Sequence, residues 1–185
     1  MKIEKQDFYI WELNYRIRSA IESDAENLAE IRLQIDGETE NLDREKGEDY
    51  LTAEDFQKII QQDTKSEKNL FLVAVVQERI VGYSRCEGSH LKRFSHKAEF
   101  GICILKEFWG YGIGKNLLSI AMSWADSNEI KKITLNVLET NEKAIQLYKS
   151  FDFEVEGVLK RDKVLSDGNY YNTIIMGRIH ESLFR

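Results

Sequence analysis

The sequence predicts an α/β fold: a mixed, mostly antiparallel central sheet of six to seven strands, flanked by about four helices. Three observations predict it. β-Branched and aromatic runs cluster in hairpin spacing in the middle of the chain. Later runs of the same kind alternate with segments of helical period, the mark of crossover units. The 185 residues contain no proline and show no compositional break, so one domain over residues 1–185 is expected.

The elements follow in order. "YRIRSA" alternates polar and apolar residues and reads as a first strand. Ser23 with Glu26 is spaced as a capping box, ahead of the mostly helical apolar face of Ala25, Leu28, Ile31, Leu33 and Ile35. "DGETENLDREKGEDY" has no apolar period and reads as an acidic loop. Thr52 and Asp55 open a second helix, "AEDFQKIIQQ". "NLFLVAVV" and "IVGYSRCEG" flank Gln77-Glu78-Arg79 as a hairpin, and "KAEFGICIL" is the next strand after a polar loop. Then come helix "KNLLSIAMSWADSN", strand "KKITLNVLE", helix "NEKAIQLYKSF" and the strands "FEVEGVLKR" and "YYNTIIMGRI" about the turn Asp167-Gly168.

Bulk chemistry narrows the function. A net charge of -6 argues against a nucleic-acid binder, which needs a basic face. The opening "MKIEKQDFYIWELNYRIR" mixes charges among its apolar residues, unlike a signal peptide or a membrane span. Cys86 and Cys103 lack metal-ligand spacing and read as reduced thiols of a cytoplasmic protein; no metal is expected. Oligomeric state is not specified: a homodimer is compatible with the chain, and the trailing "HESLFR" either docks or frays.

The most informative stretch is "KEFWGYGIGKNLL". Gly110, Gly112 and Gly114 stand between a strand and a helix, where free N–H groups and the positive helix end favour a phosphate. Lys115 adds a cation. The dinucleotide spacing G-x-G-x-x-G would put its third glycine at Lys115, although Glu139 follows at a plausible ribose position. The P-loop spacing fails at Trp109 and Asn116. An acyl-CoA diphosphate turn, [QR]-x-x-G-x-[GA], is matched in its second half by Gly112 and Gly114; a ligand-free turn is the plain alternative.

Taken together, "YRIRSAIESDAENLAEI", "IVGYSRCEG", "EFGICILKEFWGYGIGKNLL", "LNVLETNEKAIQLYKSFDFEVEGVLKR" and "DGNYYNTIIMGRI" resemble, in that order, the GNAT superfamily of acyl-CoA-dependent N-acyltransferases. Trp109, where most members have Gln or Arg, resembles the branch that includes acetyltransferases of ribosomal-protein N-termini. The resemblance implies a GNAT-like sheet and acetyl transfer from acetyl-CoA to a small-molecule or peptide amine. Attack is direct, within a ternary complex. It implies that main-chain groups of Ile102 and Ile104 meet the pantetheine arm, with an N–H near Ile104 polarising the thioester. Trp109, Gly110, Gly112, Gly114, Lys115 and Asn141 join them as cofactor-binding residues. It further implies Tyr148 as general acid, next to the CoA sulfur, and Glu99 as base, with His90 and His96 as alternatives. The acidic loop would border the acceptor, opposite Tyr170 and Tyr171. Two rivals stand beside this reading: a non-catalytic acyl-CoA sensor, and a nucleotide-binding protein using Glu139.

Overall fold

The computed structural model describes residues 2–180; the expectation for "HESLFR" lies outside them apart from His180. Eight strands form one sheet in the order β1-β2-β3-β4-β5-β6-β8-β7. They are β1 (Gln6–Ile10), β2 (Leu13–Ser19), β3 (Leu70–Val76), β4 (Arg79–Gly88), β5 (Lys97–Ile104), β6 (Lys132–Leu138), β7 (Glu154–Val164) and β8 (Tyr170–Ile179). The helices are α1 (Ala25–Asp36), α2 (Ala53–Lys65), α3 (Ile113–Ser127) and α4 (Glu142–Lys149). All pairings are antiparallel except β5 with β6. Among the described residues no helix is long and apolar enough to cross a membrane.

The sheet has one strand more than expected. β1 pairs with β2 through a two-residue turn at Trp11 and Glu12, both with positive φ. Neither is a usual residue for that conformation, so no turn signal marked the hairpin. Phe8 stacks on Tyr15 at 5.3 Å, which holds β1 down.

Side chains alternate between the two faces of the sheet. On one face Phe56 of α2 meets Phe71 and Tyr83. On the other, Tyr148 of α4 meets Phe100. α1 and α2 therefore cover the face that carries Tyr83, Arg85, Glu99 and Cys103. α3 and α4 cover the face that carries Phe100, Ile102 and Ile104. In α3 the fully buried Leu117, Leu118 and Ala125 form its core side.

The capping box at Ser23 and Glu26 does not form. A 3-10 turn, Glu22–Asp24, precedes α1, and the Asp24 carboxylate accepts from the Ile21 amide and from Arg18 instead. Arg18 is thereby tied to the helix entrance, a charge pairing that outcompetes the weaker serine cap. The Thr52–Asp55 box at α2 forms as expected, with Asp55 N–H to Thr52 Oγ1 at 3.2 Å.

One buried polar cluster braces α2 against the sheet. Asp63 accepts from Arg85 at 2.6 and 2.9 Å and from Asn69 at 2.6 Å. Asp63→Ala would strand the Arg85 guanidinium and leave Asn69 short of an acceptor. Chemical denaturation is expected to show a loss of about 3–5 kcal/mol.

Candidate active site

β5 and β6 form a fork. They pair in parallel only at Lys97↔Lys132, Ala98↔Ile133 and Glu99↔Thr134. Beyond Glu99, β5 continues to Ile104 on β4 alone, while β6 continues to Leu138 on β8. The hydrogen bonds at the two ends of β5 show which groups look into the gap. His96 C=O accepts from Lys131 and Lys132 on the β6 side, and Leu105 N–H donates to Val81 C=O on the β4 side. Main-chain direction alternates along a strand, so the N–H and C=O groups of Ile102 and Ile104 face the fork.

The entrance of α3 adjoins that open edge. Gly112 is the N-cap at φ +74°, and Gly110 has φ +91°. The positive φ favours glycine at the turn, and a Cβ on Gly112 would sit 2.9 Å from Ile10 Cδ1, the movable end of a β1 side chain. The first intrahelical bond runs from Asn116 N–H to Gly112 C=O at 3.0 Å. The amides of Ile113, Gly114 and Lys115 precede it, with no side-chain cap and no acid in the first turn. The other three helices each carry an acid there. Gly114 lets the helix close on the fork: its Cβ would lie 3.3 Å from Ile104 Cδ1, 3.8 Å from Ile102 Cδ1 and 4.0 Å from Leu147 Cδ2. Lys115 is exposed at the same end. These residues fit an anionic group followed by an amide-bearing arm.

Tyr148 is buried beneath the fork, 6.5 Å from Phe100 and 5.8 Å from Phe153 between ring centres. Burial is the main force raising its pKa above the usual tyrosine value, with the Cys103 sulfur adding to it. Cys103 lies on the other side of the sheet, hydrogen-bonded to Tyr83, and burial raises its thiol too. Cys86 is fully buried and pushed up to about 12. Both thiols are free. Iodoacetamide at pH 8 should leave Cys86 unmodified in the folded protein and label it only on unfolding, as intact-mass spectrometry would read.

Glu99 is exposed at the crotch of the fork, on the α1/α2 face and opposite Glu87. Tyr148 and Glu99 thus flank the gap from opposite sides. Asn141 caps α4, accepting from Ala144 N–H at 3.4 Å. His90 and His96 stay in or beside the loop before β5.

One expectation changes. Glu139 is committed: its carboxylate accepts from the Asn172 amide at 2.6 Å and from the Asn172 side chain at 2.9 Å. It holds β6 to β8 and is not poised for a ribose. Trp109, expected among the cofactor-binding residues, donates its indole N–H to Ile104 C=O at 2.9 Å. Nothing in the residue pattern signals that bond, because it depends on the 3-10 turn Lys106–Phe108 folding the indole back on the strand.

A cleft of about 440 Å³ opens at the top of the fork, lined by Glu38, Glu40, Lys106, Trp109, Leu138 and Thr140, among others. Its acidic wall is tied down. Asp36 pairs with Arg44 at 3.0 Å, Glu38 accepts from Lys106 N–H at 2.7 Å, Glu40 accepts from Ser166 N–H at 2.8 Å, and Asp43 pairs with Lys163. The loop is therefore fastened both to the end of β5 and to the β7–β8 turn. Of the tyrosines expected opposite, Tyr170 is exposed and Tyr171 donates to Asp167; Leu165 lines the cleft from that turn instead. Among the described residues no group of three or more His, Cys, Asp or Glu is arranged to hold a metal ion.

Known proteins are similar to this chain. Residues 35–153 match the model of the acetyltransferase (GNAT) family. The L-amino acid N-acetyltransferase AaaT of Escherichia coli K12 is 31% identical over 109 residues, 58% of this chain and 67% of that protein. The spermidine N(1)-acetyltransferase of the same strain is 35% identical over 91 residues, 49% of this chain and 47% of that protein, so the match spans about half of it. A GNAT-family acetyltransferase from Streptococcus pneumoniae superposes with a TM-score of 0.86 at 26% identity, over 89% of this chain and 99% of that one. The fork, the α3 entrance and Tyr148 all fall within the matched span, and the chain belongs to the GNAT family, as an N-acetyltransferase with acetyl-CoA as acyl donor.

Proposed function

We propose that the fork is where a primary amine attacks the acetyl thioester directly, in a ternary complex within a single domain. The open edge of β5 carries this reading. A strand that loses its partner midway exposes N–H and C=O groups that must be satisfied, and an amide-bearing pantetheine arm satisfies them. Acetyl-CoA supplies the thioester. The amides of Ile113, Gly114 and Lys115, the Lys115 side chain and the turn at Gly110 and Gly112 receive the diphosphate. Ile104 and then Ile102 receive the arm as it runs inward from the α3 end, so the thioester carbonyl meets the Ile102 N–H rather than that of Ile104. That depth is also the level of Phe100 and Tyr148. Asn141 borders the arm at the head of α4.

The two proton-handling groups approach from opposite faces. Glu99 takes the ammonium proton on the acceptor side, directly or through water, with His90 and His96 farther out in the polar loop. Tyr148, kept protonated by burial, hands its proton to the departing thiolate. The acceptor enters between Glu38 and Glu40, whose charge favours a cationic amine. The relatives named for L-amino acids and for spermidine support a small amine, with a peptide N-terminus as the second class. The free thiols support a cytoplasmic setting. A second copy of the chain is the proposed partner of edge strand β7, where Val155, Val158 and Leu159 are exposed; light scattering tests it.

The test is an amine panel of spermidine, L-leucine and an alanyl dipeptide, scored for free CoA. At least one amine should release CoA well above the rate without acceptor. Binding of acetyl-CoA with no amine-dependent release would leave the sensor reading. In a thermal-shift assay acetyl-CoA should raise the Tm and a nicotinamide dinucleotide should not, since Glu139 is occupied by Asn172.

A further inference from the structure

We propose that Trp109 is a positioning residue that holds the open edge of β5 in the geometry the acyl arm requires. The inference rests on the reading that the arm lies along that edge. From Phe100 to Ile104, β5 is paired on one side only. A half-paired strand end next to solvent frays, because each of its outward peptide groups lacks a ladder partner. The peptide between Ile104 and Leu105 is the exception. Its N–H donates to Val81 C=O at 3.0 Å, and its C=O accepts from the Trp109 indole at 2.9 Å. The indole stands where a ladder donor of β6 would stand if the strands had not parted.

This locks one peptide plane from both sides at the mouth of the fork. The neighbouring N–H groups of Ile104 and Ile102 take their direction from it. The same ring, 44% exposed, lines the cleft. Trp109 touches the strand through its nitrogen and leaves diphosphate binding to the α3 entrance. Its loss should therefore misalign the thioester more than it weakens the cofactor's hold.

Trp109→Phe keeps the ring and removes only the donor, whereas Trp109→Ala removes both. With acetyl-CoA and the best acceptor among spermidine, L-leucine and an alanyl dipeptide, Trp109→Phe should lower kcat about ten-fold, with KM for acetyl-CoA changed less than about three-fold. Hydrogen exchange should speed up over residues 100–105 in Trp109→Phe and stay unchanged in α1 and α2. A wild-type kcat in Trp109→Phe, or a loss confined to KM, would overturn the role. A second measurement separates this from the placement of the arm. Free CoA added to the unaltered protein should protect residues 100–105. Absence of that protection would remove the arm from β5 altogether; protection together with a wild-type kcat in Trp109→Phe would remove only Trp109.

Discussion

Replacing Tyr148 by phenylalanine is expected to slow acetyl transfer by about 100-fold, with acetyl-CoA affinity held within about two-fold. The ring packs between Phe100 and Phe153, and phenylalanine preserves both contacts. Only the hydroxyl is lost, and the amides of the α3 entrance and Lys115 are untouched. The pH dependence has a definite sign. Burial stabilises the neutral phenol, so its pKa is raised and the proton stays on through the range where an exposed tyrosine, near about 10, would release it. The unaltered enzyme should therefore show no alkaline fall in kcat attributable to this group below about pH 10. The variant should keep whatever acid limb the base imposes, since that group is untouched. Steady-state kinetics from pH 6 to 10, paired with calorimetric titration of acetyl-CoA, reads both. An unchanged kcat in Tyr148→Phe would remove the phenol from the chemistry; a fall with an ordinary tyrosine midpoint in the parent, lost in the variant, would instead show that burial does not raise its pKa.

Much of this framework was legible in the residues because local chemistry and tertiary role agree in them. Thr52 and Asn141 cap the helices they precede. β1 was not legible. Its turn is built from Trp11 and Glu12, and it is held by Phe8 on Tyr15 and Ile10 on Gly112, partners invisible until the chain is folded. The same holds for Asp24, whose pairing with Arg18 displaced the serine cap, and for Glu139, whose position suggested a ligand until Asn172 took both oxygens. A charged side chain reads as available in a sequence; only long-range packing shows that it is occupied. The acidic loop combines both lessons. Its charge was plain, but its fastening through Glu38, Glu40 and Asp43 to elements 68 to 126 residues away was not.

Gly112→Glu is expected to remove acetyl-CoA binding in practice, weakening it by about 100-fold or more. Two effects combine. The carboxylate would sit at the N-cap, where its charge repels the diphosphate and its oxygens compete for the amides of Ile113, Gly114 and Lys115. Losing two charge-assisted hydrogen bonds at about 1.5–3 kcal/mol each suffices for that factor. A backbone contribution must be separated from it. Any side chain at φ +74° is strained by about 1–2 kcal/mol, and its Cβ meets Ile10 Cδ1, though that methyl is the free end of a side chain that can swing aside. Gly112→Ala carries the strain without the charge. It should lower stability by about 1–2 kcal/mol and keep most of the affinity. The difference between the two variants in calorimetric titration isolates the electrostatic part, and that difference should shrink as salt is raised, because the site opens to solvent. If Gly112→Glu binds acetyl-CoA as well as Gly112→Ala does, the α3 entrance is not where the diphosphate sits, and the direction assigned to the arm along Ile104 and Ile102 falls with it.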